Sequence, residues 1–96
     1  MGQPSRGKVG DALKSAHILD EIVAGQLAIV ARLSEGRRSL AADHLAELVM
    51  LAQTYRHYAR GWISRRELDR RGRQATERLG ALRQPSPDSA HFTEQD

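Results

Sequence analysis

Two histidine–carboxylate groupings and one run of arginines are the residues in this 96-residue chain whose types and spacing could do chemistry. His17-x-x-Asp20-Glu21 and His44-x-x-Glu47 hold imidazole and carboxylate three or four positions apart, a spacing that stacks side chains on one helix face. Metal-binding helical bundles use such spacing, with every ligand projecting inward. At 100° per residue, His17, Asp20 and Glu21 fall on a polar half-wheel. His44 falls on an apolar half and Glu47 outside it, so the two sets do not converge. No metal site and no cofactor is expected, and His44 reads as a half-buried histidine bonded to a neighbour. No nucleophile–base arrangement is present: the chain lacks cysteine and a Gly-x-Ser-x-Gly elbow, and its serines fall in caps, turns and tails. Gly7 and Gly10 lack the lysine spacing of a phosphate loop. Three short helices leave little room for a pocket of roughly 300–1,000 Å³. The chain is therefore expected to be a non-enzyme with no small-molecule substrate.

The arginines are the stronger chemical signal. Residues 60–83 carry eight of them (Arg60, Arg65, Arg66, Arg70, Arg71, Arg73, Arg78 and Arg83) against Glu67, Asp69 and Glu77. Such a stripe attracts phosphates or acidic surfaces. The plainer reading is a solvated helix face with i,i+4 ion pairs, for which Glu67–Arg71 and Asp69–Arg73 are spaced. Charge is uneven along the chain, since residues 84–96 hold Asp88, Glu94 and Asp96 and no lysine or arginine. No apolar leader opens the sequence, and no segment is long and apolar enough to span a bilayer, so no secretory signal and no membrane partner are expected. The absence of cysteine fits a reducing compartment, and a cytoplasmic location is expected.

The elements that must position these residues are helices, giving an all-α, three-helix domain over 11–84. A Gly-, Pro- and Ser-rich stretch, 1–10, reads as a flexible arm, and 85–96, with Pro85 and Pro87, as a disordered acidic tail. The first helix is expected over 11–35, with Asp11 as N-cap and Gly36 as a left-handed stop. Its apolar residues (Ile18, Leu19, Ile22, Val23, Leu27, Ile29, Val30 and Leu33) cover about 180° of the wheel, wider than the usual stripe of about 100°. Such a helix needs two neighbours, or one neighbour and a second copy. Gln26 lies inside that arc, either setting register across an interface or reaching water near a bundle end. The second helix is expected over 40–60, capped by Ser39, stopped by Gly61 and joined to the first as an antiparallel hairpin through a short turn. Met50 falls on its polar side.

The third helix, 64–83, has the best-specified start. Ser64 at the N-cap and Glu67 at N3 form a capping box, and Ile63 and Leu68 are spaced as a hydrophobic staple. Leu68, Gly72, Ala75, Leu79 and Leu82 make a narrow stripe whose small members permit close helix approach. The residues Gly61, Ile63, Ser64, Glu67 and Leu68 resemble the helix–Gly-x-Ile-Ser/Thr-x-x-Glu-Leu/Phe–helix pattern of short bacterial SHOCT-type helical hairpins. The resemblance covers about a quarter of the chain, and no function is carried over from it.

Two function classes follow. The first is a small protein-interaction module, an adaptor, inhibitor or regulator that binds or occludes a larger partner and forms a dimer. Tyr55, Tyr58 and Trp62 would be its anchors, with Val23, Gln26 and Met50 on the contact surface. The alternative is a nucleic-acid-binding regulator using the third helix as a helix-turn-helix-like reader, with Arg65, Arg66, Arg70 and Arg73 on phosphates and base edges. A plainer role for Trp62 is to close the corner by packing on the first helix.

Overall fold

A computed structural model describes residues 6–83. Within them the chain forms three helices and no strand: α1 (Arg6–Val30), α2 (Glu35–Ala59) and α3 (Arg65–Arg83). The expected acidic tail, 85–96, lies outside the described residues, as do residues 1–5.

Two boundaries differ from the sequence expectation. Residues 6–10 are not an arm but the opening turn of α1. Gly7 and Gly10 disfavour helix there, but Val9 is half-buried and Ala12 is buried, so packing carries the helix back past its apolar run. The α1–α2 turn also sits earlier than expected, at residues 31–34. Gly36 is not a left-handed stop, because Gly61 is the only described residue with positive φ. Instead α1 tightens at its end, where the Arg32 N–H donates to the Ile29 carbonyl and the Leu33 N–H to the Val30 carbonyl, both at 3.0 Å. Ser34 then takes the N-cap position in extended backbone (φ −60°, ψ 160°), and Glu35 places a carboxylate at the positive end of α2. Ser39 is thereby an interior residue of α2.

α1 and α3 both pack on α2 and not on each other, with no Cα of one within 8 Å of the other. Side chains from all three helices meet in two small clusters. Ala12, Tyr58 and Leu68 form one, with Tyr55, Ala59 and Ile63 against it. Val30, Leu45 and Leu48 form the other, with Leu19, Val23, Ala41 and Leu79 against it. Between them, Ala16 and Ala52 are almost fully buried. Each helix pair is also joined by an ion pair, Asp20–Arg56 for α1–α2 and Glu47–Arg78, at 2.7 Å, for α2–α3. The Thr54 hydroxyl, buried within α2, donates to the Met50 carbonyl at 2.9 Å.

On α3 the small-residue stripe divides. Ala75 is buried, as close approach requires, but a Cβ at Gly72 would meet nothing within 4 Å. Gly72→Ala is therefore expected to stabilise the fold by about 0.5–1 kcal/mol, through helix propensity and a less free unfolded chain. Thermal denaturation would read this as a gain of roughly 4–8 °C per kcal/mol. A lower melting temperature would mean that a neighbour occupies the space beside Gly72.

Candidate interaction surface

The corner between α2 and α3 is built by backbone hydrogen bonds. The Gly61 N–H donates to the Tyr58 carbonyl and the Trp62 N–H to the His57 carbonyl, both at 2.9 Å. With Gly61 at φ 77°, this is a Schellman ending. Such an ending is accompanied by contact between the residue two beyond the cap and the third from the helix end, which here are Trp62 and His57. Their rings lie 5.2 Å apart, and the Arg60 guanidinium sits over the indole at 5.0 Å. Trp62 thus closes the corner on α2 rather than on α1, and 65% of its surface stays exposed. Ser64 caps α3 as expected, its hydroxyl accepting from the Glu67 N–H at 3.0 Å. The reciprocal half of the capping box is absent, because arginines hold the Glu67 carboxylate.

Arg70 grips Glu67 with two hydrogen bonds, at 2.8 and 2.5 Å, and Arg71 adds a third at 2.6 Å. The expected Glu67–Arg71 pair is present. Asp69, however, pairs backwards with Arg65 at 3.0 Å, not forwards with Arg73. Of the four arginines proposed to contact nucleic acid, Arg65 and Arg70 are thus engaged within α3. No ion pair joins Arg66 or Arg73 to a carboxylate among the described residues. Asp69, and to a lesser degree the Tyr58 hydroxyl, raise the Arg65 pKa above its ordinary value.

Hydrogen bonds from Arg70 and then Arg71 hold the Glu67 carboxyl down at about 2, from an ordinary 4.5. A lowered carboxylate stabilises the fold fully above its unfolded value. That contribution fades as pH falls from about 4.5 through about 2. In a carbon-13 titration, the Glu67 carboxyl should have its midpoint near 2, and Glu67→Gln should flatten the acid limb of the stability curve. A midpoint at the ordinary value would show that the two arginines do not hold it.

Because α1 and α3 stand apart, an open groove of about 630 Å³ lies between them. Leu51, Tyr55 and Tyr58 of α2 form its floor, Asp11 and Ser15 line its α1 wall, and Gly72 and Arg73 line its α3 wall. The volume exceeds what three short helices were expected to leave, but the space is a trough and not an enclosed pocket. Seven residues beyond Asp11 and Ser15 on α1 come Ile18 and Ile22, and seven beyond Ile22 comes Ile29, so these three isoleucines extend the same wall. All three are exposed, at 44–57% of their surface, as is Leu40 where α2 begins.

The sequence-derived contact residues scatter over this frame. Tyr55 floors the groove, while Tyr58 is 5% exposed and belongs to the core, which corrects its expected role as a surface anchor. Val23 is half-buried against the Val30–Leu45–Leu48 cluster, so it too is a packing residue first. Gln26 is exposed and reaches water beside the isoleucine row. Met50 and Trp62 are exposed, Met50 beside a smaller hollow between α2 and α3. Sequence reasoning passed over Ile18, Ile22, Ile29 and Leu40 as contact residues. The excess width of the α1 apolar arc was the signal that could have found them. Of the histidine–carboxylate sets, His17 pairs with Glu21 at 3.1 Å while Asp20 turns to Arg56.

Set against protein-family models, curated proteins and solved structures, the chain matches none. The likeness of the corner to SHOCT-type hairpins rests on five residues that any capped helix corner favours. Among the described residues, no helix is long and apolar enough to cross a membrane.

Proposed function

We propose that this chain is a non-enzymatic, cytoplasmic helical interaction module that pairs with a second copy of itself and acts by binding or occluding a larger protein. The observation that carries this reading is the uncovered row of Ile18, Ile22 and Ile29 beside the α1–α3 groove. Single exposed apolar residues are ordinary on monomers, whereas a row of three along one helix face beside an open groove of mixed polar and apolar lining is typical of contact surfaces. Closed two-fold pairing is the commonest way to cover such a face.

Sedimentation over a range of protein concentrations tests it. The mass should rise towards twice that of one chain, and Ile22→Asp should weaken association at least tenfold, about 1.4 kcal/mol, without loss of helicity. A wild-type chain that stays monomeric at the highest concentrations would refute the reading.

Nucleic-acid binding is the second reading, and Arg66 and Arg73 are its support. It draws less from the remaining geometry. Leu68 lies with Tyr58 and Leu79 with Leu45, so α3 runs back along α2, whereas helix-turn-helix pairs cross at about 90–120°. Fluorescence anisotropy on a random duplex at low salt would separate the two readings, since phosphate-led binding is strongest there.

A further inference from the structure

We propose that the hollow between α2 and α3, with Trp62 at its rim, binds single-stranded nucleic acid. Phosphates lie against Arg66, Arg70, Arg71 and Arg78, and an unpaired base stacks on the indole. The site belongs to α2 and α3 and is independent of the self-association reading, which rests on α1. It differs from the reader-helix alternative in strand form and in residues.

Charge sorts onto the two sides of α3. The wider groove is lined by Lys8, Arg65 and Arg73 but equally by Asp11, Asp69 and Glu77, so it offers a polyanion no net attraction. The hollow, of about 350 Å³, is lined by Arg70, Arg71 and Arg78 and by no carboxylate. Arg66, Arg70, Gln74 and Arg78 follow one another in steps of four, which keeps them along one side of the helix. Glu67 and Glu47 pair with Arg70, Arg71 and Arg78 without burying them, since those three side chains stay 40–52% exposed. Arg71 and Arg78 bond their carboxylates through Nε, which leaves their Nη groups for phosphate oxygens.

Charge alone would suit any polyanion, and the rim narrows the choice. His57 lines the hollow and its ring lies 5.2 Å from that of Trp62, so the exposed indole adjoins the arginines. Met50, also exposed, lines the hollow two turns away along α2. Gln53 and Gln74 add amide donors and acceptors of the kind that base edges match. An exposed aromatic beside a basic track holds single strands, because every unpaired base presents a stacking face. A duplex keeps its bases stacked on one another and leaves the indole unused. An acidic peptide would use the arginines alone. Arg66 to Arg78 covers about 18 Å of helix, room for roughly five stacked nucleotides at about 3.4 Å each.

Trp62 is the chain's only tryptophan, so its emission reports stacking directly. Titration with a mixed-sequence single strand of about ten nucleotides at low salt should quench that emission, with a log–log salt slope of about −3 for four phosphate contacts. A duplex of the same sequence should bind about tenfold more weakly. Arg71→Gln leaves Arg70 on Glu67 and should weaken single-strand binding about fivefold, as should Arg66→Gln at an exposed position. Arg73→Gln makes the same charge change on the groove side and should weaken it less than about twofold. Equal losses from Arg71→Gln and Arg73→Gln, or a duplex bound as tightly as the single strand, would overturn the inference in favour of the reader helix. Polyglutamate bound as tightly as the single strand would overturn it in favour of an acidic protein partner. An unquenched Trp62 at low salt would overturn it too, while sedimentation decides self-association separately.

Discussion

Tyr58→Ala is expected to destabilise the fold by about 3–5 kcal/mol, as loss of a buried aromatic ring usually does. Tyr58 is the largest buried side chain of the Ala12–Tyr58–Leu68 cluster, in which all three helices meet. Its ring bears on α1 through Ala12 and on α3 through Leu68, and α1 and α3 have no direct backbone approach to replace it. A domain of this size has about 5–15 kcal/mol in total, so the variant would lose a large share of its stability. Tyr58→Phe keeps the ring and removes only the hydroxyl beside Arg65, and should stay within about 1 kcal/mol of wild type. Urea denaturation of the three proteins at one fixed concentration measures both, the fixed concentration being needed because the proposed association would add to apparent stability. A loss under about 1 kcal/mol for the alanine variant would mean that the second cluster alone holds the layers.

What was legible in the sequence was what local chemistry dictates. The Gly61–Ser64 corner was readable because each residue has a backbone reason for being there: a left-handed glycine, a hydroxyl cap and a staple of Ile63 against the Leu68 cluster. The α1–α2 turn was not, because residues 31–34 contain neither glycine nor proline and the turn is closed by two i→i−3 hydrogen bonds. Gly36 and Ser39 offered the usual stop and cap signals a few residues too late, and α2 absorbed both. The opening of α1 was misread for a related reason. Its glycines disfavour helix locally, but Ala12 and Ala16 tie that end to α2, and tertiary packing outweighs about 1 kcal/mol per glycine.

The candidate surface was half legible. The width of the α1 apolar arc announced that one neighbour would not cover it, and the fold leaves Ile18, Ile22 and Ile29 uncovered. The aromatic cluster pointed elsewhere. Tyr55 and Tyr58 share one face of α2, on the groove floor and at the Leu68 cluster, whereas Trp62 turns away to the corner on His57 and Arg60. Residues three apart lie on one helix face, but Trp62 comes after the left-handed Gly61 that ends α2, so it leaves that face. The arginine excess was also offset by geometry that no count reveals: Glu67 alone occupies two arginines, because α3 places them three and four residues beyond it.

Ala16→Leu is expected to cost about 1–3 kcal/mol, by overpacking a joint that has no room to give. Ala16 is 1% exposed, and among the described residues α2 is the helix whose backbone lies beside α1, so the added carbons must press into α2. Ala24→Leu, on an exposed position of the same helix, adds the same carbons to open surface and should stay within about 0.5 kcal/mol. The comparison separates helix propensity from packing, since both changes replace alanine by leucine within α1. The larger leucine can be housed only if α1 lifts or rolls. Either movement shifts the Ile18–Ile22–Ile29 row relative to Leu40, so Ala16→Leu should also weaken the proposed self-association, although the residue is buried in the single chain. Denaturation and sedimentation on the same samples would show both effects together. A neutral Ala16→Leu would mean that α1 rests loosely on α2, and a loosely held α1 could not present a rigid Ile18–Ile22–Ile29 row.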